Sequence, residues 1–248
     1  TERGLVVIDN DIRSVDRLQE AIRSTTTQEL RFLINTHNAF DHASANYVFA
    51  RAGATIISSA VCRQGMAQTG RKKFEEMQTA DEKVRALALA QGAEVVLPGI
   101  TFDQRLTLHF GSRTIELMHF GHGHTPGDIV VYLPQEKILF SGDLIVVGYH
   151  PQVRDGSCVG WLKILGELDV IAPARIVPGH GPVTPGGEGV RSLREYFLRV
   201  KSAVGDMAAR GKTLDEMLQE LTLPEYQCLG KIKFWPDTIR VVYRETVG

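Results

Sequence analysis

The chain has 248 residues, 43% of them hydrophobic and 23% charged, with a formal net charge of −1. That length allows one large domain or two small ones and ample core. The near-neutral balance excludes a nucleic-acid or charged membrane surface as the expected partner, and no apolar run approaches the ~18 residues of a membrane-spanning helix.

The sequence opens as "TERGLVVIDN", with strand pattern almost at once and no initial Met. A processed or trimmed N-terminus is expected, so the lack of a signal peptide leaves the compartment open between cytoplasm and periplasm. "GLVVID" (4–9) reads as a buried strand ending in Asp9. Ile12, Val15, Leu18 and Ile22 fall near helical spacing and predict an amphipathic helix. "LRFLIN" (30–35) is a second strand, leading directly into "THNAFDH". "ASANYVFARAG" (43–53) reads as a helix stopped at Gly53, and "ATIISS" (54–59) as a third strand.

Residues 60–91 are helical, charged and free of histidine, which suggests a peripheral helical insert. Leu106, Leu108 and Phe110, then Ile115 and Leu117, alternate around Gly111-Ser112 and predict a β-hairpin. "DIVVYLPQEKILFSGD" (128–143) is another strand pair, turning at Pro134-Gln135. "RIVPGHG" (175–181) is a short strand ending in a turn. The rest is mostly helix, with Thr213 and Glu216 in capping-box positions. Early strands alternate with helices, hairpins follow, and helices close the chain. The pattern predicts an α/β (α+β) fold with two mixed sheets covered by helices, in a single domain over 1–248. The three cysteines, Cys62, Cys158 and Cys228, form no C-x-x-C pair and, being odd in number, no complete disulfide framework.

Four stretches put metal-type ligands on loops just after apolar strands: "THNAFDH" (36–42), "GHGHTPGD" (121–128), "LFSGD" (139–143) and "VPGHGP" (177–182). Strand ends that face one way can gather distant residues into one site, and divalent metals need neutral imidazoles and carboxylates there. The glycines let the backbone turn sharply.

Taken in order, these stretches resemble the metallo-β-lactamase superfamily, whose pattern is H-x-H-x-D-H, a His in a G-H-T-P-G-D-like turn, an Asp after an apolar strand, and a His in P-G-H-G. The resemblance runs from about residue 4 to 200 and implies a four-layer αββα sandwich. It implies that His37 and His124 hold one metal, that Asp41, His42 and His180 hold a second, and that Asp143 bridges them. Ala39 stands where the family has its middle His. The second site is therefore expected to hold one zinc firmly, and the first to be weak or empty. His122 is a candidate to stand in for the missing ligand or to line the pocket. Asp9 is expected to hold a backbone amide or a ligand His from outside the ligand set. His150, Arg154 and Asp155 are candidates for substrate contact.

The implied activity is that of a zinc-dependent hydrolase acting through a metal-bound hydroxide, with Asp41 or Asp143 orienting the water. The substrate is expected to be a small, partly apolar molecule: an ester, thioester or lactone, or the substrate of a hydrolytic dehalogenation. Best-known β-lactamases of the family carry a Lys three residues after the bridging position, where this chain has Val146, which argues against β-lactams. The apolar "LIVVGYH" (144–150) and the Trp161 segment suggest the pocket. A homo-oligomer is allowed. Two alternatives stand beside the enzyme: a degenerate metal-binding module, and an engineered His-to-Ala variant of a two-zinc hydrolase.

Overall fold

A computed structural model describes residues 1–247 as two compact units, Thr1–His119 and Phe120–Gly248. The first unit begins with strand β1 (Leu5–Ile8), helix α1 (Val15–Thr25) and strand β2 (Leu30–Ile34). Helices α2 (Phe40–Ala43) and α3 (Asn46–Arg51) lead to β3 (Thr55–Ser59), and helices α4 (Ala60–Ala80) and α5 (Glu82–Gln91) to β4 (Ile100–Phe102). The four strands form a sheet in the order β1-β2-β3-β4, parallel at every pairing. The hairpin β5 (Arg105–Phe110) and β6 (Arg113–Met118) turns at Gly111-Ser112 as the alternation predicts.

Parallel strands need helical crossovers and become buried on both faces, and Leu33, Ile34, Ile56 and Ile57 are indeed buried. α1 turns Val15, Leu18 and Ile22 toward this core. Ile12, expected in that helix, lies before it and is still almost wholly buried. Of the helix expected over 43–53 only α3 (Asn46–Arg51) forms, and α2 ends at Ala43 before it. The Asn10 side chain accepts the Ala45 amide at 2.6 Å, and the Ser44 hydroxyl accepts the Ile12 amide at 3.0 Å. These long-range partners hold Ala45 outside helical geometry (φ −105°, ψ 20°), a competition between side chain and ladder that local spacing does not reveal. In the 60–91 segment, Phe74, Val84 and Ala88 turn inward and join the same core.

The second unit contains β7 (Val130–Leu133), β8 (Ile138–Val146), α6 (Cys158–Ile171), β9 (Arg175–His180), β10 (Thr184–Pro185), α7 (Glu188–Ala209), α8 (Leu214–Glu220) and α9 (Trp235–Thr246). Its strands run in the order β10-β9-β8-β7, with β8 and β9 parallel and the other pairs antiparallel. α7 buries Val190, Leu193, Phe197, Val200 and Val204, a three-four spacing that makes one continuous apolar face. The capping box closes α8: the Glu216 amide donates to Thr213 Oγ1 at 3.3 Å and the Thr213 amide to Glu216 Oε2 at 2.8 Å. No helix among the described residues is long and apolar enough to cross a membrane.

Candidate metal centre

In the first unit the ligand-type residues sit just past β2. Asp9 ends β1 in the left-handed region, at φ +60°, a conformation Asp adopts more readily than most residues. From there its carboxylate organises the whole loop. Oδ1 accepts the Thr36 amide at 2.7 Å. Oδ2 accepts the Thr36 hydroxyl at 2.7 Å and faces His42 Nδ1 at 2.8 Å. Thr36 Oγ1 in turn lies 3.0 Å from His37 Nδ1.

The partners fix the tautomers. A carboxylate only accepts, so His42 carries its proton on Nδ1. The Thr36 hydroxyl gives its single proton to Asp9 and therefore accepts from His37 Nδ1–H. Both rings then present the lone pair of Nε2, which is how a metal-ligating histidine is prepared. The two rings lie 4.2 Å apart, centroid to centroid. Asp41, about one-third exposed, has the Arg13 guanidinium 4.0 Å away. Ala39 sits at the N-cap of α2 in extended conformation, with no side-chain cap.

In the second unit three separate elements supply the ligand types. His124 lies in the turn before β7. Its Nδ1 faces the Gln152 carbonyl at 2.8 Å, and since a carbonyl only accepts, this ring too is the Nδ1–H tautomer and presents Nε2. The turn is clamped by Asp128, whose Oδ2 accepts the Thr125 amide at 2.8 Å and whose Oδ1 accepts the Thr125 hydroxyl at 2.5 Å. Burial raises the Asp128 carboxyl above its ordinary value. Asp143 comes from β8 and His180 from the end of β9, brought together by the parallel β8–β9 pairing. Gly179 makes that approach feasible, because a Cβ there would run into the Asp143 carboxylate.

Asp143 Oδ2 stands 3.6 Å from His124 Nε2 and 3.4 Å from His180 Nε2. Two donors on one tetrahedral zinc, each about 2.0–2.1 Å from it, are about 3.4 Å apart. Each separation is that of two donors able to share a cation, and the residues present fit zinc.

The remaining expected residues are placed as follows. His122 is exposed, and its Nε2 donates to the Asp155 carbonyl at 2.7 Å, which leaves Nδ1 as the ring atom for any ligand role. His150 is 2% exposed, with Nδ1 2.9 Å from the Tyr196 hydroxyl and its ring against Trp235. Burial lowers the His150 imidazole below its ordinary value and raises the Tyr196 phenol. Arg154 and Asp155 are exposed, 4.0 Å apart. Trp161, read as part of a pocket, is a core residue. Its ring is fully buried between His124 and Phe197, and its Nε1 donates to the Leu144 carbonyl at 2.9 Å. Sequence reasoning missed Asp128, Thr36 and the Gln152 carbonyl. The Thr-to-Asp spacing in "HTPGD" could have pointed to the first, but no local pattern marks a backbone carbonyl 28 residues from the ring it holds.

The fold and these residues define an α/β protein with clustered imidazoles and carboxylates prepared for divalent metal. The profile of the metallo-beta-lactamase superfamily matches residues 14–180, and the chain belongs to that superfamily. Similar curated proteins include a metallo-beta-lactamase type 2 of Bacteroides fragilis, 29% identical over 125 residues, covering 48% of this chain and 49% of that protein. The human acyl-coenzyme A thioesterase MBLAC2 is 27% identical, over 59% of this chain and 54% of its own length. A linear primary-alkylsulfatase of a Pseudomonas strain is 22% identical over 99% of this chain and 54% of that protein. The chain thus spans about half the length of these relatives. Among solved structures, the metallo-beta-lactamase IND-7 superposes with a TM-score of 0.64 at 18% identity, over 80% of this chain and 83% of that one. The metallo-beta-lactamase from Pontibacter korlensis gives 0.61 at 22%, over 80% and 84%. At these identities the structural likeness establishes the fold, the α/β sandwich class expected from the motifs.

Proposed function

We propose that the chain is a zinc-dependent hydrolase of esters or thioesters, its two units acting as one catalytic domain. The family match, which crosses the boundary between the units, supports the second part of this reading. His37 and His124 would hold one zinc, Asp41, His42 and His180 the other, and Asp143 would touch both. One observation carries the reading: three imidazoles are each clamped through Nδ1 by an acceptor, so that all three offer Nε2. A surface histidine gains nothing from such a clamp, whereas a ligand gains orientation and basicity.

When bound, zinc supplies a Lewis acid and brings the pKa of its water down to about 7. The chain's own residues do the rest. Asp143 Oδ2, set between His124 and His180, is positioned to accept a proton and to orient the attacking oxygen. Asp41, more exposed, is the candidate to pass that proton to solvent. Asp9 and Thr36 keep the rings from turning as the charge on the site changes.

Ala39 supports a site of unequal halves. With the methyl group at this position, one set has two imidazoles and the bridging carboxylate, while the other has three protein ligands plus the bridge. One tight zinc per chain is therefore expected. Thioesters and alkyl esters are favoured as substrates because the names of two relatives, a thioesterase and an alkylsulfatase, share an apolar chain attached to a hydrolysable head. The test is elemental analysis of the purified protein followed by hydrolysis of ester, thioester, lactone and haloaromatic compounds. The expected result is about one zinc per chain and chelator-sensitive hydrolysis, highest on acyl thioesters or esters. Zinc-loaded protein that hydrolyses none of them would favour the degenerate metal-binding module, the reading that Ala39 also supports.

A further inference from the structure

The second unit contains a cavity of about 230 Å³ beside the ligand-bearing end of β9. One wall is Val146, Val147 and Tyr149, which continue directly from β8. This wall is tied to the ligand strand, for Val146 pairs with His180 and the Val147 amide donates to the His180 carbonyl at 2.9 Å. The Tyr149 ring meets the His180 imidazole edge-on, with centroids 6.4 Å apart. Leu193 of α7 forms a second wall, and Tyr226 and Leu229, from the segment between α8 and α9, form a third. That third wall is pinned in place, because the Gly230 amide donates to the Gly148 carbonyl and the His150 amide to the Gly230 carbonyl, both at 2.9 Å.

Two features bear on what fills the cavity. First, its lining is mostly aliphatic and aromatic, the make-up of pockets that take apolar groups. Its polar members, Thr184, Glu188 and Ser192, cluster where α7 begins, and the Glu188 carboxylate there disfavours an anionic group. Second, Leu193, Tyr226 and Leu229 all lie beyond residue 180, where the family match ends. The cavity therefore joins a wall from the shared ligand-bearing portion to walls that this chain's C-terminal part adds.

We infer that this cavity is the subsite for the uncharged hydrocarbon chain of the substrate, an acyl or alkyl chain whose hydrolysable head reaches the metal ligands past Tyr149. The assignment rests on the hydrolase reading above and adds chain length as its main determinant of specificity. Each methylene that moves from water into such a lining improves binding about two- to fourfold. kcat/KM should therefore rise from acetyl through butanoyl to octanoyl esters, and flatten once the cavity is full.

The test uses the full chain and two filling variants, Ser192→Phe and Leu229→Trp, each entering from a position that is not fully buried. Kinetics on a series of p-nitrophenyl esters give the ratio of octanoyl to acetyl kcat/KM within each protein, so differences in folding or metal content cancel. The expected ratio is tenfold or more in the parent, falling at least fivefold in both variants. A second readout needs neither zinc nor turnover: ligand-observed NMR of 1-octanol with the chelated protein should show binding that both variants weaken and that 1-butanol does not match. Hydrolysis without any chain-length dependence, together with no octanol binding, overturns the subsite while leaving the hydrolase reading intact. Octanol binding that the variants weaken, in a protein that hydrolyses neither esters nor thioesters, supports an apolar-chain site in this cavity and overturns the hydrolase reading instead.

Discussion

The two units hold their ligand-type residues in different ways. In the first, His37, Asp41 and His42 lie within six residues on one loop, and a single carboxylate, Asp9, holds the loop amide, the Thr36 hydroxyl and the His42 ring. In the second, His124, Asp143 and His180 come from a turn and two strands. They are held by a backbone carbonyl, by strand pairing, and by a glycine that lets the strands close up. The first half concentrates its dependence on one side chain. The second spreads it over the sheet, so no single outer residue should matter as much there.

Removing ligands should have the largest effect and should not distinguish the halves. On the proposed assignment, Asp41→Ala and His180→Ala each remove one expected ligand of the better-furnished set. Tight zinc and hydrolysis should be lost together, by more than the roughly 10- to 100-fold that an outer partner costs. Metal analysis beside initial rates checks this, and full activity in either variant would mean that the site is misplaced.

Outer residues should then separate the two designs. Asp9→Asn keeps the tolerance for positive φ but leaves an amide, with only one acceptor oxygen, to serve the partners that two carboxylate oxygens now hold. Zinc affinity should fall on the order of 10- to 100-fold. Asp128→Ala removes the carboxylate that clamps Thr125 in the turn carrying His124. It should cost about 1–3 kcal/mol of stability with a much smaller change in zinc affinity. Zinc competition with a chromogenic chelator and urea unfolding would decide, and equal losses of affinity would erase the contrast.

Ala39→His sharpens the comparison from the other side. A third imidazole should turn the poorer set into an ordinary zinc site and raise the tight metal count from about one toward two. If no additional metal binds, position 39 does not correspond to the family's ligand position.

The smallest effect concerns the C-terminal part alone. Burial depresses the His150 imidazole below its ordinary 6.5, so the folded protein binds this proton less readily than the unfolded chain. The stability that depends on neutral His150 is present above pH 6.5 and is lost as the pH falls from there through the depressed value. Between pH 7 and 5, His150→Phe should flatten the decline in urea midpoint. An unchanged slope would show that His150 does not set it.

The amino-acid sequence by itself determined the parts of this protein that are local. Apolar runs marked β1, β2, β3, β8 and β9, because a buried strand must be apolar wherever it lies. The Gly111-Ser112 turn and the Thr213–Glu216 box followed from turn and cap chemistry within a few residues. The candidate ligands could be proposed because their types and spacings are written in four short stretches. Only the tertiary structure decided the rest. The Asn10 side chain, 35 residues away in sequence, takes the Ala45 amide, and the helix expected from residue 43 begins only at Asn46. Trp161 becomes core because β8 and α7 close over it, although its own neighbours suit a pocket wall equally well. The tautomers of His37, His42 and His124 depend on which acceptor meets each Nδ1, and for His42 and His124 that acceptor lies 28 or more residues away. A hydrogen bond is decided by what lies within about 3 Å, and folding, not spacing along the chain, brings those partners together.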